Sequence, residues 1–329
     1  MKKTTSKIDA PLMLNYSLNT PWIFHPSLQK GGPKVVALGG GYGLSATLRA
    51  ARRYASAVTG IVSVADDGGS SGRLREAFGI PAPGDLRRCL VALAGSHDSV
   101  WAKAFEKRFD AAELQGHPLG NIVIAGLATS TGDFSAAIDE ALRLLEAVGR
   151  VFPATVGPVS LAATFRRYGG TKERPFSVEG KVQGEVAVGE TYGLTSVAVV
   201  PADPMVPMAA LDAIVEADQV LIGPGSLFTS VLAVAAIPQI RDALAEAKGE
   251  RIYISNLSEQ HPETTGYSMS DHISALANHG VMIDAVLHDP ARLPLGQGRC
   301  PEVVTASLAD SSGRLHVSEL LAEALKDLW

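Results

Sequence analysis

Lys34-Val35-Val36-Ala37-Leu38-Gly39-Gly40-Gly41-Tyr42-Gly43-Leu44-Ser45-Ala46 is the stretch that decides the fold. It opens with a short apolar run of strand length, turns on a cluster of glycines and continues into a helical run from Leu44 to Tyr54. A second apolar strand, Val58 to Val64, then ends at Ala65-Asp66-Asp67. Strand, glycine turn, helix and strand in that order predict a parallel βαβ unit. Glycines let the backbone turn sharply and approach an anion closely. The following helix offers unpaired N–H groups and the positive end of its dipole. Gly39, Gly40, Gly41, Tyr42 and Gly43 are therefore read as the wall of a phosphate site, against the alternative of a turn that uses glycine only for packing. Gly41-x-Gly43-x-x-Ala46, with Asp66 about 20 residues on, also fits a dinucleotide-binding pattern. No Gly-Lys-Ser/Thr follows the loop, which excludes a P-loop NTPase.

Outward from this unit, helical stretches dominate from Asp85 to Val148. Residues from about 151 to 190 mix short apolar pieces with Gly, Pro and charge, which predicts a small inserted subregion of antiparallel strands. Alternation returns with strands at Ser196–Val200, Gln219–Ile222, Arg251–Ser255 and Ile283–Leu287. Helices are expected at Pro207–Glu216, Leu227–Ala235, Gln239–Ala247, Ser270–Asn278 and Ser318–Leu328. The expected architecture is α/β: a doubly wound, largely parallel, Rossmann-like sheet over residues 33–329. Residues 1–32 are expected to form an extension hinged at Gly31-Gly32-Pro33.

The chain has 329 residues, 46% of them hydrophobic, enough for one large core. A net charge of -5 with interspersed signs offers no basic stripe to a phosphodiester backbone, so nucleic acid is not an expected partner. Cys89 and Cys300 alone make neither a zinc site nor a disulfide framework. The apolar content after Met1-Lys2-Lys3 is too short and proline-broken for a signal peptide, and no run is long enough to span a bilayer. A cytoplasmic protein is expected.

Asp66-Asp67-Gly68-Gly69-Ser70-Ser71-Gly72-Arg73 follows the second strand at the end where open α/β sheets bind ligands. Ser70, Ser71 and Arg73 suit a phosphate. Asp66 and Asp67 suit either Mg²⁺ or a ribose hydroxyl, and the sequence does not choose. Asp85 reads as a helix N-cap, with Arg87 and Arg88 as solvated charges beyond it. His117 and Asn121 flank the start of an apolar helix and are weaker candidates for ligand contact. Gly223-Pro224-Gly225-Ser226, between a strand and a helix, repeats the logic of the first glycine turn. Two such cradles in one sheet imply a diphosphate or a ligand with two anionic ends. Asn256, at a strand end, is placed to read a base or sugar hydroxyls. Adjacent Asp271 and His272 point about 100° apart on a helix and do not form a dyad; Asp271 reads as a first-turn dipole partner. No nucleophile elbow, Cys/His pair or zinc helix appears, so no catalytic residue is assigned.

Six ordered motifs, at residues 39–45, 64–75, 81–90, 117–121, 223–230 and 262–268, resemble the YvcK/CofD family. One branch of that family transfers a phospholactyl-type group to a deazaflavin from a guanosine dinucleotide, with a divalent metal. The other, the gluconeogenesis-factor branch, binds UDP-sugars such as UDP-N-acetylglucosamine, supports cell shape and envelope synthesis, and has no assigned activity. The Asp-Asp-Gly-Gly-Ser-Ser-Gly-Arg run is similar to the second branch. The resemblance thus implies a UDP-sugar-binding regulator that requires no cofactor, with Mg²⁺ as an optional one, a homodimer, and partners in envelope synthesis. Tyr42 stands where the family more usually has threonine. Gly313-Arg314-Leu315-His316 matches only loosely, so no ligand-binding role is carried to Arg314.

Overall fold

The computed structural model describes residues 20–170 and 175–329. Its strands are β1 (Lys34–Gly39), β2 (Ala57–Val62), β3 (Arg150–Pro153), β4 (Ser160–Gly170), β5 (Pro175–Gln183), β6 (Leu194–Val200), β7 (Gln219–Ile222), β8 (Glu250–Ile254), β9 (Ala285–His288) and β10 (Glu302–Thr305). Seven of them form one sheet in the order β10-β9-β8-β7-β1-β2-β3, every pairing parallel. Parallel strands covered by helices on both faces read as unbroken apolar runs. β1, β2 and β7 do so and are almost wholly buried.

Strand order fixes where a ligand can sit. From β1 the chain moves outward through β2 to β3, then returns on the other side of β1 as β7. That reversal opens a crevice at the carboxyl ends of β1 and β7, where doubly wound sheets bind their ligands. The doubly wound, Rossmann-like expectation is met.

The excursion between β3 and β7 is a three-stranded antiparallel sheet, β5-β4-β6. It starts after Arg150–Pro153, which is the outer strand of the main sheet, and runs on to Val200, so its bounds differ from the expected 151–190. The strand expected at Ser196–Val200 therefore belongs to the small sheet. Its burial alternates along the strand, as it does when one face meets water. β10, half-exposed at the sheet edge, was not anticipated.

Of the expected extension, residues 1–19 lie outside the described residues; from Thr20 the chain packs on the sheet. Trp22 is buried, donates to Glu216 at 3.1 Å and lies under the Lys34 ammonium. At Gly31-Gly32-Pro33 the backbone passes close to the end of the first helix, where a Cβ on Gly32 would meet Tyr54 O at 2.1 Å. No single helix among the described residues is long and apolar enough to cross a membrane. Only the pair Leu227–Ala235 and Pro238–Glu246, bent by 69°, reaches that length together.

Candidate functional site

The two glycine turns meet at the crevice. A Cβ on Gly43 would stand 2.1 Å from Pro224 O, and one on Gly225 would stand 3.5 Å from Gly40 O. Helix Gly41–Ala51 begins inside the first turn with Gly40 extended at its cap, three residues earlier than the sequence suggested. Gly39 and Gly41 have φ of +146° and +66°, conformations that disfavour a side chain. The helix leaves the Tyr42 and Gly43 N–H groups without intrahelical partners, as every helix start does. The Gly41 N–H is already taken.

Its acceptor is Asp85, at 2.6 Å. Asp85 was expected to cap its own helix, Gly84–Ala92. Pro83 holds the cap position instead, and the Asp85 carboxylate reaches back to the glycine turn and pairs with Arg88. Burial pushes the Asp85 pKa up, against the pull of Arg88 and the Gly41 N–H. The Arg88 guanidinium lies 4.5 Å from the centre of the Tyr42 ring. The expectation of solvated arginines is corrected at both positions. Arg88 is one-fifth exposed, and Arg87 is buried, paired with Glu106 and donating to Asn121 Oδ1 at 3.1 Å. Asn121 donates in turn to Ser70 Oγ, which also bonds His117 Nδ1 at 2.8 Å. Ser70, His117, Asn121 and Arg87 thus form one interior network.

The second turn differs from the first. Leu227–Val231 is a π-helical turn that continues into helix Leu232–Ala235. Its first free N–H groups are occupied: Glu263 accepts from Phe228 N at 2.6 Å, Thr229 N at 3.3 Å and the Thr229 hydroxyl at 3.2 Å. A carboxylate thus occupies the Phe228 and Thr229 N–H groups of this second turn, which sets it apart from the first. Gly223 lies beneath the cleft, where its carbonyl accepts from Thr47. Gly225 lines the cleft and exchanges contacts with Asn256, whose Nδ2 donates to Gly225 O at 2.9 Å. Ser226 accepts from Gln260 at 3.1 Å.

A cavity of about 250 Å³ opens over the turns, walled by Tyr42, Gly43, Arg49, Gly225, Asn256 and Arg314, among others. His316 joins the wall, with its Nε2 on Ser255 O. Arg314, left aside on sequence grounds, is thus part of the site. Ser70, Ser71, Arg73 and Asn121 do not line this cavity. Arg73 donates to Gln115 O and borders, with Asp67 and Arg75, a separate open groove.

On the other side of the glycine turn the groups are acidic. Asp66 accepts from the Gly68 N–H at 2.9 Å, and its other oxygen faces Gly84 beside the Ser71 hydroxyl. Asp67 spends both oxygens on the first turn of helix Glu185–Gly189, accepting from Glu185 N at 2.9 Å and Val186 N at 3.0 Å. Each Asp67 oxygen therefore already accepts a backbone N–H, and no three His, Cys, Asp or Glu side chains among the described residues are grouped to hold a metal. The Glu185 carboxyl is pushed up to about 7, first by burial and then by Asp66, Asp67, Asp85 and Glu263.

Below the cleft, His272 is fully buried. Its Nδ1 is hydrogen-bonded to the Tyr253 hydroxyl at 2.8 Å, its Nε2 has no partner among the described residues, and burial holds its pKa at about 4. Asp271 lies in the first turn of its helix, as expected of a dipole partner, and also forms a capping box with Ser268. Because the unfolded His272 titrates near 6.5 and the folded one near 4, the unfolded state binds the extra proton between these values. The neutral ring's stabilisation is full above pH 6.5 and is lost as pH falls, on the order of 3 kcal/mol by pH 4. Glu185 titrates in the opposite sense, so the variant is compared with the parent. His272→Asn is expected to flatten the fall of the urea midpoint between pH 6.5 and 4.5; parallel curves would remove His272 from the acid response.

The family model described as "2-phospho-L-lactate transferase CofD" matches residues 35–298. A Nostoc protein named "Putative gluconeogenesis factor" is 40% identical over 262 residues, 78% of this chain and 55% of its own length. The chain therefore spans about half of that relative. A Mycobacterium tuberculosis protein of the same name is 42% identical over 267 residues, 79% of this chain and 77% of its own. The crystal structure of a Bacillus halodurans member of the UPF0052 family superposes with a TM-score of 0.77 at 32% identity, covering 88% of this chain and 97% of that one.

Proposed function

This chain belongs to the YvcK/CofD family, and from that premise we propose that it binds a nucleotide-sugar, a UDP-sugar such as UDP-N-acetylglucosamine, between its glycine turns. We place it in the gluconeogenesis-factor branch, as a cytosolic regulator that links nucleotide-sugar supply to cell shape and envelope synthesis. The observation that supports this reading is the two-sidedness of the first glycine turn. One side offers the Tyr42 and Gly43 N–H groups, with Arg49 and Arg314 on the same cavity wall. Those groups match a diphosphate. The other side offers the carboxyl groups of Asp85, Asp66 and Glu185, which accept hydrogen bonds from sugar hydroxyls. Asp66 keeps one oxygen for a magnesium ion that a ligand phosphate would help to hold.

The test is calorimetry with UDP-N-acetylglucosamine, with and without magnesium, followed by analysis of the nucleotide after long incubation. Binding with the ligand unchanged supports the regulator. Turnover in the presence of a deazaflavin acceptor favours a transferase, a reading that draws on the description of the matching family model and on Glu185, whose titration near neutrality suits proton transfer.

Gly41→Ala sharpens the test. The backbone at Gly41 has φ of +66°, and a Cβ there would enter open space rather than protein. The fold should survive at a cost of about 1 kcal/mol. The ligand, which needs that space, should bind at least about tenfold more weakly, roughly 1.4 kcal/mol. Unchanged affinity in a folded variant would show that the turn does not wall the phosphate site.

A further inference from the structure

A second positively charged cavity lies behind the cleft. Helix Gly41–Ala51 ends in Arg49, and Arg52 and Arg53 follow it directly. With His97, Ser318 and Glu319 they line a hollow of about 360 Å³ against the start of helix Ser318–Lys326. Three arginines here face one carboxylate, in a chain whose net charge is -5. That carboxylate is spent, because Glu319 pairs with Arg53.

The other two arginines are under-committed. Arg52 uses one nitrogen, Nη1, to donate to Ala92 O at 3.0 Å and Ala94 O at 2.8 Å. The same nitrogen lies 3.4 Å from His97 Nε2, and the rest of the guanidinium has no partner among the described residues. Arg49, only partly exposed, makes neither hydrogen bond nor ion pair among the described residues, although Glu106 and Glu319 act on it at longer range. Like charges gathered in one hollow in excess of their counter-charges repel. Consistently, the pKa of His97 is lowered by burial and then by Arg52 and Arg49, and that of His25 by burial and Arg52. Helix Ser318–Lys326 adds its N-terminus, where Val317 offers no side-chain cap.

We propose that this cavity binds a phosphate group, either free phosphate or the phosphoryl end of a small metabolite, between Arg49, Arg52, His97 and Ser318. The chemistry matches term by term. Guanidinium forks hold phosphate oxygens in pairs, a hydroxyl and helix-end N–H groups supply further donors, and the volume is that of a small-molecule site. A nucleic-acid surface would need a continuous stripe, whereas these arginines gather at one half-open hollow. The site stands whether or not the neighbouring cleft takes a nucleotide-sugar, although Arg49 borders both.

The experiment titrates the full chain with inorganic phosphate and, separately, with glucose 6-phosphate, holding ionic strength constant with sodium chloride. Phosphate is expected to bind saturably. Arg49→Gln removes the charge while keeping much of the side chain's packing, and His97→Glu puts an anion into the cavity from an exposed position. Each should weaken phosphate at least tenfold, with circular dichroism and thermal midpoint close to the parent. Gly41→Ala, in the neighbouring cleft, should bind phosphate as the parent does. Tighter binding of glucose 6-phosphate assigns a carried phosphoryl group, and equal or weaker binding assigns the free ion. No saturable binding at constant ionic strength overturns the proposal. So does parent-like affinity in both cavity variants, or loss of phosphate in Gly41→Ala with the cavity variants unaffected.

Discussion

Gly43→Ala is expected to lose nucleotide-sugar binding altogether and to cost the fold at least about 3 kcal/mol. The added methyl would stand 2.1 Å from Pro224 O, 2.6 Å from Pro224 C and 3.2 Å from Gly225 N, all of them backbone atoms. No rotamer change relieves a clash with backbone, so the two turns must part, and overpacking of this kind costs roughly 1–3 kcal/mol or more. Parting them also separates the Tyr42 and Gly43 N–H groups from Gly225 and Asn256 on the facing wall. Gly225→Ala isolates the clash, since its φ of +158° brings backbone strain but its nearest contacts would be 3.5 Å, without overlap. Urea unfolding followed by circular dichroism, with calorimetry on the folded fraction, reads both effects. Parent-like stability in Gly43→Ala would mean that the turns do not touch in solution.

Glu263→Ala is expected to be the most destabilising single truncation near the site, at roughly 4 kcal/mol. It strands the Phe228 and Thr229 N–H groups and the Thr229 hydroxyl in the interior, and an unsatisfied buried donor costs about 1–3 kcal/mol. Burial pushes the Glu263 pKa up, and these three donors pull against it. Glu263→Gln retains an acceptor of the same shape and should cost about 1 kcal/mol. The two urea midpoints are compared directly. If alanine and glutamine cost the same, the helix mouth does not depend on an acceptor at residue 263.

The parts of the fold that depend on near neighbours were legible in the chain. β1, its glycine turn, the helix and β2 follow one another within thirty residues, and their apolar runs and glycines are local signals. The satisfaction of helix ends was not legible. Asp85 meets Gly41 across 44 residues and Glu263 meets Phe228 across 35, and nothing in either segment alone announces the pairing. Arg87 and Arg88 carry the composition of a solvated surface, and their burial depends on Glu106, Asn121 and Asp85, which only the tertiary fold supplies. β6 has the composition of a core strand, and its membership of the small sheet follows from antiparallel pairing to β4. Arg314 sits in a loop with no periodicity to read, and the folded chain brings it to the wall of the cleft.

The reversal of strand order also sets the timetable of synthesis. β1 is central to the sheet, yet its partner β7 emerges only after β2 to β6 and their helices; the Thr47 hydroxyl and the Gly223 carbonyl that close the base of the cleft are 176 residues apart in the chain. Until β7 leaves the ribosome, one side of β1 is a bare strand edge in a hydrophobic intermediate, the kind of surface that templates misassembly. Translation stalled between β6 and β7 should therefore yield chains that need a chaperone, whereas stalling after β10 should not.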